Sequence, residues 1–85
     1  MVYLIHFERK LHHAQHYLGF VQGDLSQRLA LHLSGHGAKL LKACKEKGIG
    51  WHLVRAWPGG DRHFERKLKN RKKARLLCPW CGLVL

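Results

Sequence analysis

The sequence predicts one α+β domain, in which a small three-stranded antiparallel sheet is covered by helices in the order ββααβα. Two short β-prone runs lie close together near the N-terminus. Two helix-like segments with Gly residues at their ends follow, and a third β-prone run precedes a basic helix. Eighty-five residues suffice for a single domain. Strands followed by helices, without regular βα alternation, are typical of the α+β class.

The first two predicted strands form a hairpin. The run Val2–Phe7 is short, apolar and β-prone, and His16–Phe20 has the same character. The polar, basic segment Glu8–Gln15 between them is predicted to be a loop. A Gly residue at position 23 then ends the second strand.

The first helix is predicted to begin after Asp24, whose carboxylate can cap it, and to end at Gly35. Its leucines recur every four residues and are expected to form the core-facing stripe. These leucines are Leu25, Leu29 and Leu33. At 100° per residue, Arg28 and His32 lie on the shoulder of that stripe, at the edge of the core. A solvated flank is the ordinary interpretation of such residues.

The remaining elements follow in order. A second helix is predicted over Ala38–Lys47 and a third strand over Ile49–Trp57. After a Pro-Gly-Gly turn, Asp61 can cap a third helix that covers residues 62–75. The buried pair of this helix is expected to be Phe64 and Leu68.

Charge is the strongest functional signal. The chain has sixteen Lys and Arg residues but only five Asp and Glu residues, which gives a formal net charge of +11. Such a positive field favours a polyanionic partner, with nucleic acid the first expectation and an anionic membrane surface the second. No apolar run approaches the roughly 18 residues that would span a bilayer. Three cysteines and no evident signal peptide predict a reducing, cytoplasmic location.

Glu65 is conspicuous because acidic residues are scarce. The carboxylates of Asp24 and Asp61 are accounted for as helix caps, whereas Glu65 lies within a helix among cations. One interpretation is an ordinary i,i+4 ion pair with Lys69. The other is a single carboxylate that holds a divalent metal over a phosphate. Too few acids are present for the carboxylate cluster of a two-metal nuclease.

An ordered set of motifs resembles the GIY-YIG nuclease domain, from residue 2 to about residue 73. Two tyrosine triplets, an arginine with a histidine four residues later, and a helical glutamate occur in that order. The matching segments are "VYL" (2–4), "YLG" (17–19), "DLSQRLALH" (24–32), "SGHGAK" (34–39), "WHLVRAW" (51–57) and "ERKLK" (65–69). The first triplet departs from the pattern because it lacks the glycine.

The resemblance implies a DNA endonuclease that hydrolyses phosphodiesters with one Mg²⁺ or Mn²⁺ ion. Glu65 matches the metal-binding glutamate, and Arg28 matches the arginine that steadies the scissile phosphate. Tyr17 matches the tyrosine near the attacking water, and Tyr3 matches the tyrosine of the first triplet. His32 matches a histidine found in the active site of some members. The alternative is a non-catalytic nucleic-acid-binding module of the same fold.

Basic residues of the second and third helices are predicted to contact DNA phosphates, with a solvated surface as the alternative. They are Lys39, Arg66, Lys67, Lys69, Arg71, Lys72 and Lys73. The catalytic domain is expected to cover residues 1–76. Residues 77–85 form a C-terminal tail that contains the sequence CPWCG.

The two tail cysteines, Cys78 and Cys81, have the spacing of half a zinc site. A tetrahedral site needs two more ligands. These could come from Cys44 or from one of the histidines in "HHAQH", which are His12, His13 and His16. The alternative is a reduced pair of thiols in a C-terminal turn.

Overall fold

A computed structural model describes residues 1–71 and 77–82 of the chain. The elements are β1 (Val2–Leu11), β2 (Ala14–Phe20), α1 (Leu25–Ser34), α2 (Lys39–Glu46), β3 (Trp51–Trp57), α3 (Arg62–Arg71) and the short α4 (Pro79–Gly82). The strands form one antiparallel sheet in the order β2-β1-β3, so β1 is central. The α+β class and the three-stranded antiparallel sheet are therefore confirmed.

The β1–β2 hairpin is longer than predicted. The segment Glu8–Gln15 was expected to be a loop, but β1 continues to Leu11 and β2 begins at Ala14. Leu11 pairs with Ala14 and is only 2% exposed, and His12 adopts a positive φ of 55° in the connecting turn. The prediction was wrong because a strand is held by its backbone ladder, which polar side chains do not interrupt.

The two faces of the sheet carry separate apolar clusters. Alternate residues of β1, beginning with Tyr3, pack against α1 and α2 together with Leu41 and Cys44. The intervening residues, beginning with Val2, pack with Leu68 of α3 and with Cys78. This division follows from the two-residue repeat of a strand, which sends successive side chains to opposite faces. Helices consequently cover both faces of the sheet.

The predicted limits of α1 are confirmed by its caps. Asp24 accepts a hydrogen bond from the Ser26 N–H at 2.8 Å, and Gly35 ends the helix with a φ of 85°. The predicted leucine stripe is only partly correct. Leu25 and Leu29 pack against the core, but Leu33 is 65% exposed and His32 is buried in its place. Positions 25, 29 and 32 also follow helical spacing, and the sheet selects the histidine.

Helix α3 begins where the sequence predicts. Asp61 accepts a hydrogen bond from the Phe64 N–H at 2.9 Å, as expected of a capping residue. Phe64 and Leu68 pack against the sheet, which confirms the predicted buried pair. Of the predicted range 62–75, residues 72–75 lie outside the part of the chain that the structure describes.

Candidate functional site

His32 is held from both ring nitrogens in the interior of the domain. Only 1% of the residue is exposed. The Ala38 N–H donates to Nδ1 at 3.2 Å, and Nε2 lies 2.7 Å from the Tyr3 hydroxyl. Because Nδ1 accepts, the proton of the neutral ring is on Nε2, which donates to Tyr3. The hydroxyl proton of Tyr3 is thus directed to a different acceptor, and besides burial, a hydrogen bond to Tyr17 contributes to raising the pKa of Tyr3.

Tyr3, Tyr17 and His32 form a compact group, here called the tyrosine cluster. The ring centroids lie 6.1 Å apart for the two tyrosines, 6.0 Å for Tyr3 and His32, and 5.6 Å for Tyr17 and His32. A Cβ atom at Gly19 would lie 2.7 Å from Tyr17 and closer still to the Tyr3 ring. The glycine of the second triplet therefore makes room for the tyrosines.

Burial and charge determine the protonation states in this cluster. Burial, followed by the neighbouring Tyr17, raises the pKa of Tyr3 to about 12, although Arg28 acts in the opposite direction. Burial and the charge of Arg28 lower the pKa of His32. At neutral pH, Tyr3 is consequently a neutral hydrogen-bond donor and His32 is uncharged.

Arg28 lies one turn before His32 on α1, and its charge acts on both Tyr3 and His32. The Nε atom of Arg28 is buried and has no hydrogen-bond partner within the described part of the chain. A buried donor without an acceptor costs about 1–3 kcal/mol, and more when the group is charged. The donor thus has capacity for an anionic acceptor beside the tyrosine cluster.

Glu65 is on α3, whose apolar residues pack against the sheet face opposite Tyr3. Its side chain is 18% exposed, and one carboxylate oxygen lies 3.6 Å from Lys69 Nζ. A cavity of about 350 Å³, here called the edge groove, is lined by His16, Tyr17, Leu18, Leu40, Leu68, Lys69 and Leu77. Lys69 therefore borders the same groove as Tyr17, at the edge of the sheet, whereas Glu65 is not among the residues that line it.

The structure brings four of the five predicted catalytic residues into one region, since Arg28 acts on Tyr3 and His32 and both pack beside Tyr17. Glu65 lies outside that region, on the helix that covers the opposite sheet face, although its ion-pair partner Lys69 lines the edge groove together with Tyr17.

Exposed side chains are found at four of the predicted phosphate contacts, namely Lys39, Arg66, Lys67 and Lys69. The side chain of Arg71 and the whole of Lys72 and Lys73 lie outside the described residues.

A second cluster, here called the His/Cys group, lies on the sheet face that α3 covers. One ligand atom from each of His6, His16, Cys78 and Cys81 lies within 4.8 Å of the other three, and the four residues can hold a metal ion. Thiolates and imidazoles suit zinc better than magnesium, which prefers oxygen. Burial, followed by the neighbouring His6, lowers the pKa of His16, which favours the neutral imidazole that binds metals.

Cys44, which the sequence analysis named as a possible zinc ligand, does not belong to the His/Cys group. It is fully buried in the core cluster on the other face of the sheet, and burial raises the pKa of its thiol. Of the "HHAQH" histidines, His16 joins the His/Cys group. The sequence interpretation treated His6 as an ordinary strand residue. The register of the predicted hairpin could have identified His6 as a candidate ligand, since His6 pairs with His16 across β1 and β2.

Comparisons with protein-family models, curated proteins and solved structures found no match to this chain. In the described ranges 1–71 and 77–82, no helix combines the length and apolar character required to cross a membrane. The function must accordingly be argued from the site itself.

Proposed function

We propose that the chain binds the phosphodiester backbone of DNA beside the tyrosine cluster and hydrolyses it. The observation that carries this proposal is the buried Arg28 Nε–H, which lacks an acceptor among the described residues and lies next to the hydrogen-bonded pair Tyr3 and His32. A phosphate diester supplies several acceptor oxygens and a negative charge. The net charge of +11 favours a polyanion over a small neutral substrate.

Each residue has a role that its surroundings support. Arg28, which is half-buried, binds non-bridging phosphate oxygens and stabilises the charge that increases during attack, and the buried Tyr3 hydroxyl positions the guanidinium. His32 is a positioning residue, because it fixes the Tyr3 hydroxyl through a 2.7 Å hydrogen bond. Tyr17 lines the edge groove and orients the attacking water there.

The reaction conserves atoms and protons. The water oxygen forms a bond to phosphorus, and the bond from phosphorus to the leaving oxygen breaks. Tyr17 accepts a proton from the water while its own phenolic proton passes to solvent. The leaving alkoxide takes a proton from solvent. This proton shuttle does not require Tyr3 to ionise, which agrees with a Tyr3 pKa of about 12.

Glu65 would hold the single divalent ion that the resemblance implies. Its carboxylate is a hard oxygen donor, which fits Mg²⁺ or Mn²⁺, and the remaining ligands would be water and phosphate oxygens. Lys69 Nζ lies 3.6 Å from the carboxylate, so a hydrated ion would displace this ammonium. When bound, the ion supplies charge neutralisation at the phosphate and stabilises the leaving oxygen.

The second candidate function is a non-catalytic DNA-binding module. The observation that favours it is the Glu65–Lys69 ion pair, because an ammonium beside the carboxylate competes with a metal ion. Such a module would use the same Arg28 donor and basic surface to bind DNA without cleaving it.

Incubation of the chain with nicked, branched and linear duplexes, in Mg²⁺ or Mn²⁺, distinguishes these functions. Cleavage of at least one DNA is expected from the wild-type chain. Glu65→Ala is expected to abolish it while DNA binding persists. Glu46→Ala removes the same charge from an exposed position near the end of α2 and is expected to cleave normally. Binding without cleavage of any substrate would favour the non-catalytic module.

A further inference from the structure

The atoms of the His/Cys group lie at the separations that a tetrahedral zinc ion requires. Zinc bonds of 2.0–2.1 Å to nitrogen and about 2.3 Å to sulfur place two nitrogens about 3.4 Å apart and nitrogen and sulfur about 3.6 Å apart. His6 Nδ1 and His16 Nε2 are 3.3 Å apart. Cys78 Sγ is 3.4 Å and Cys81 Sγ is 3.7 Å from His6 Nδ1. Cys81 Sγ is 3.3 Å from His16 Nε2.

The four residues come from segments that are far apart in sequence. His6 is on β1, His16 is on β2, Cys78 immediately precedes α4, and Cys81 lies within α4. The sheet fixes the two imidazoles, because His6 and His16 are directly paired across the hairpin. The two histidines that the sheet positions and the Cys-x-x-Cys segment therefore bring their four ligand atoms close together.

Packing around the group supports an ordered arrangement. Cys78 is 1% exposed and belongs to the core cluster of that face. The Trp80 ring lies 5.4 Å from the His6 ring and 4.7 Å from the His52 ring, measured between centroids. The Arg55 guanidinium also donates to the Leu77 carbonyl at 3.2 Å. These contacts hold α4 against the sheet.

We propose that His6, His16, Cys78 and Cys81 bind one structural Zn²⁺ ion that attaches the C-terminal segment to the β-hairpin. Two thiolates neutralise the charge of the ion, and four protein ligands leave no position for a substrate, as in structural rather than catalytic zinc sites. The ion is separate from the Glu65 carboxylate, and this inference does not depend on the proposed nuclease activity.

The zinc site also has a consequence for the edge groove. His16 and Leu77 both line that groove; His16 is itself a proposed zinc ligand, and Leu77 immediately precedes the ligand Cys78. Loss of zinc is consequently expected to loosen one wall of the groove as well as α4. A folded chain without zinc would then retain the α1 side of the site, with Arg28 and the tyrosine cluster.

Metal analysis of the purified full chain, reconstituted with Zn²⁺ and dialysed, tests the proposal. About one zinc ion per chain is expected for the wild type. Cys44→Ala and His63→Asn are the matched controls, since neither residue belongs to the His/Cys group, and both are expected to retain the ion. Cys81→Ser and His6→Asn are expected to lose it.

Cobalt substitution of the wild-type chain gives a readout that does not depend on the folding of any variant. Tetrahedral Co²⁺ with two thiolates is expected to show visible d–d bands and a sulfur-to-cobalt charge-transfer band, both abolished by excess Zn²⁺. Absence of bound zinc and of these bands in the wild type would overturn the proposal. Full zinc retention by folded Cys81→Ser would do the same.

Discussion

Gly19→Ala tests whether Tyr3 lies over the glycine of the second triplet. The added methyl group would lie 2.7 Å from Tyr17 Cε2 and would overlap the Tyr3 ring. Tyr3 is fully buried on the central strand, where little space is available for its ring to move. Overpacking of this kind costs about 1–3 kcal/mol. For a domain of this size, each kcal/mol lowers the melting temperature by roughly 4–8 °C.

Thermal unfolding followed by circular dichroism measures this loss, with Gly59→Ala as the matched control. Among the described residues, no atom beyond the chain neighbours lies within 4 Å of the place that a Gly59 Cβ would occupy, and the φ of Gly59 is not left-handed. Its variant is therefore expected to melt as the wild type does. The Gly19 variant should also cleave DNA more slowly at temperatures where it remains folded, because the Tyr3 hydroxyl is displaced. Equal melting temperatures for the two variants would refute the arrangement of Tyr3 over Gly19.

Three further predictions concern protonation and charge. Folding lowers the pKa of His32 from 6.5, so the unfolded state binds more protons in acid. The free energy of unfolding is therefore highest above about pH 6.5 and falls below it. In urea unfolding at several pH values, His32→Gln should reduce this pH dependence, and an unchanged dependence would contradict the prediction. Spectrophotometric titration should show one tyrosine ionising near pH 12, absent in folded Tyr3→Phe, whereas two ordinary titrations would exclude the burial effect. DNA affinity should fall steeply with salt, and Lys67→Ala should reduce the log–log slope by about 1, while a salt-independent affinity would exclude phosphate contact.

Local chemistry made much of the fold predictable. The carboxylate of Asp24 and the left-handed residue Gly35 mark the ends of α1 through nearest-neighbour hydrogen bonds and steric freedom, both visible in sequence. The choice between His32 and Leu33 could not be made in this way, because both positions continue the helical stripe. The sheet decides it, since Tyr3 offers His32 a hydrogen-bond partner in the core.

The candidate sites were likewise predictable where local sequence determines them and unpredictable where tertiary packing does. The Cys-x-x-Cys spacing predicts half a zinc site, but its partner His6 depends on the register of the hairpin. The register shifts between His6 and Leu11, and the segment there is polar, so the sequence alone did not indicate that the strand continues. The Arg28 Nε–H, unpaired within the described part of the chain, is likewise a product of packing, and no sequence pattern specifies it.

The central claim is that the Arg28 Nε–H binds a DNA phosphate, and its own NMR resonance tests this most directly. Spectra of the ¹⁵N-labelled chain, with the arginine Nε–H signals assigned through Arg28→Lys, would be recorded during titration with a short duplex in the absence of divalent metal. We expect the Arg28 Hε signal to shift downfield as a charged hydrogen bond forms. If DNA binds and shifts other arginine signals while that of Arg28 stays unchanged, the phosphate site is not beside the tyrosine cluster.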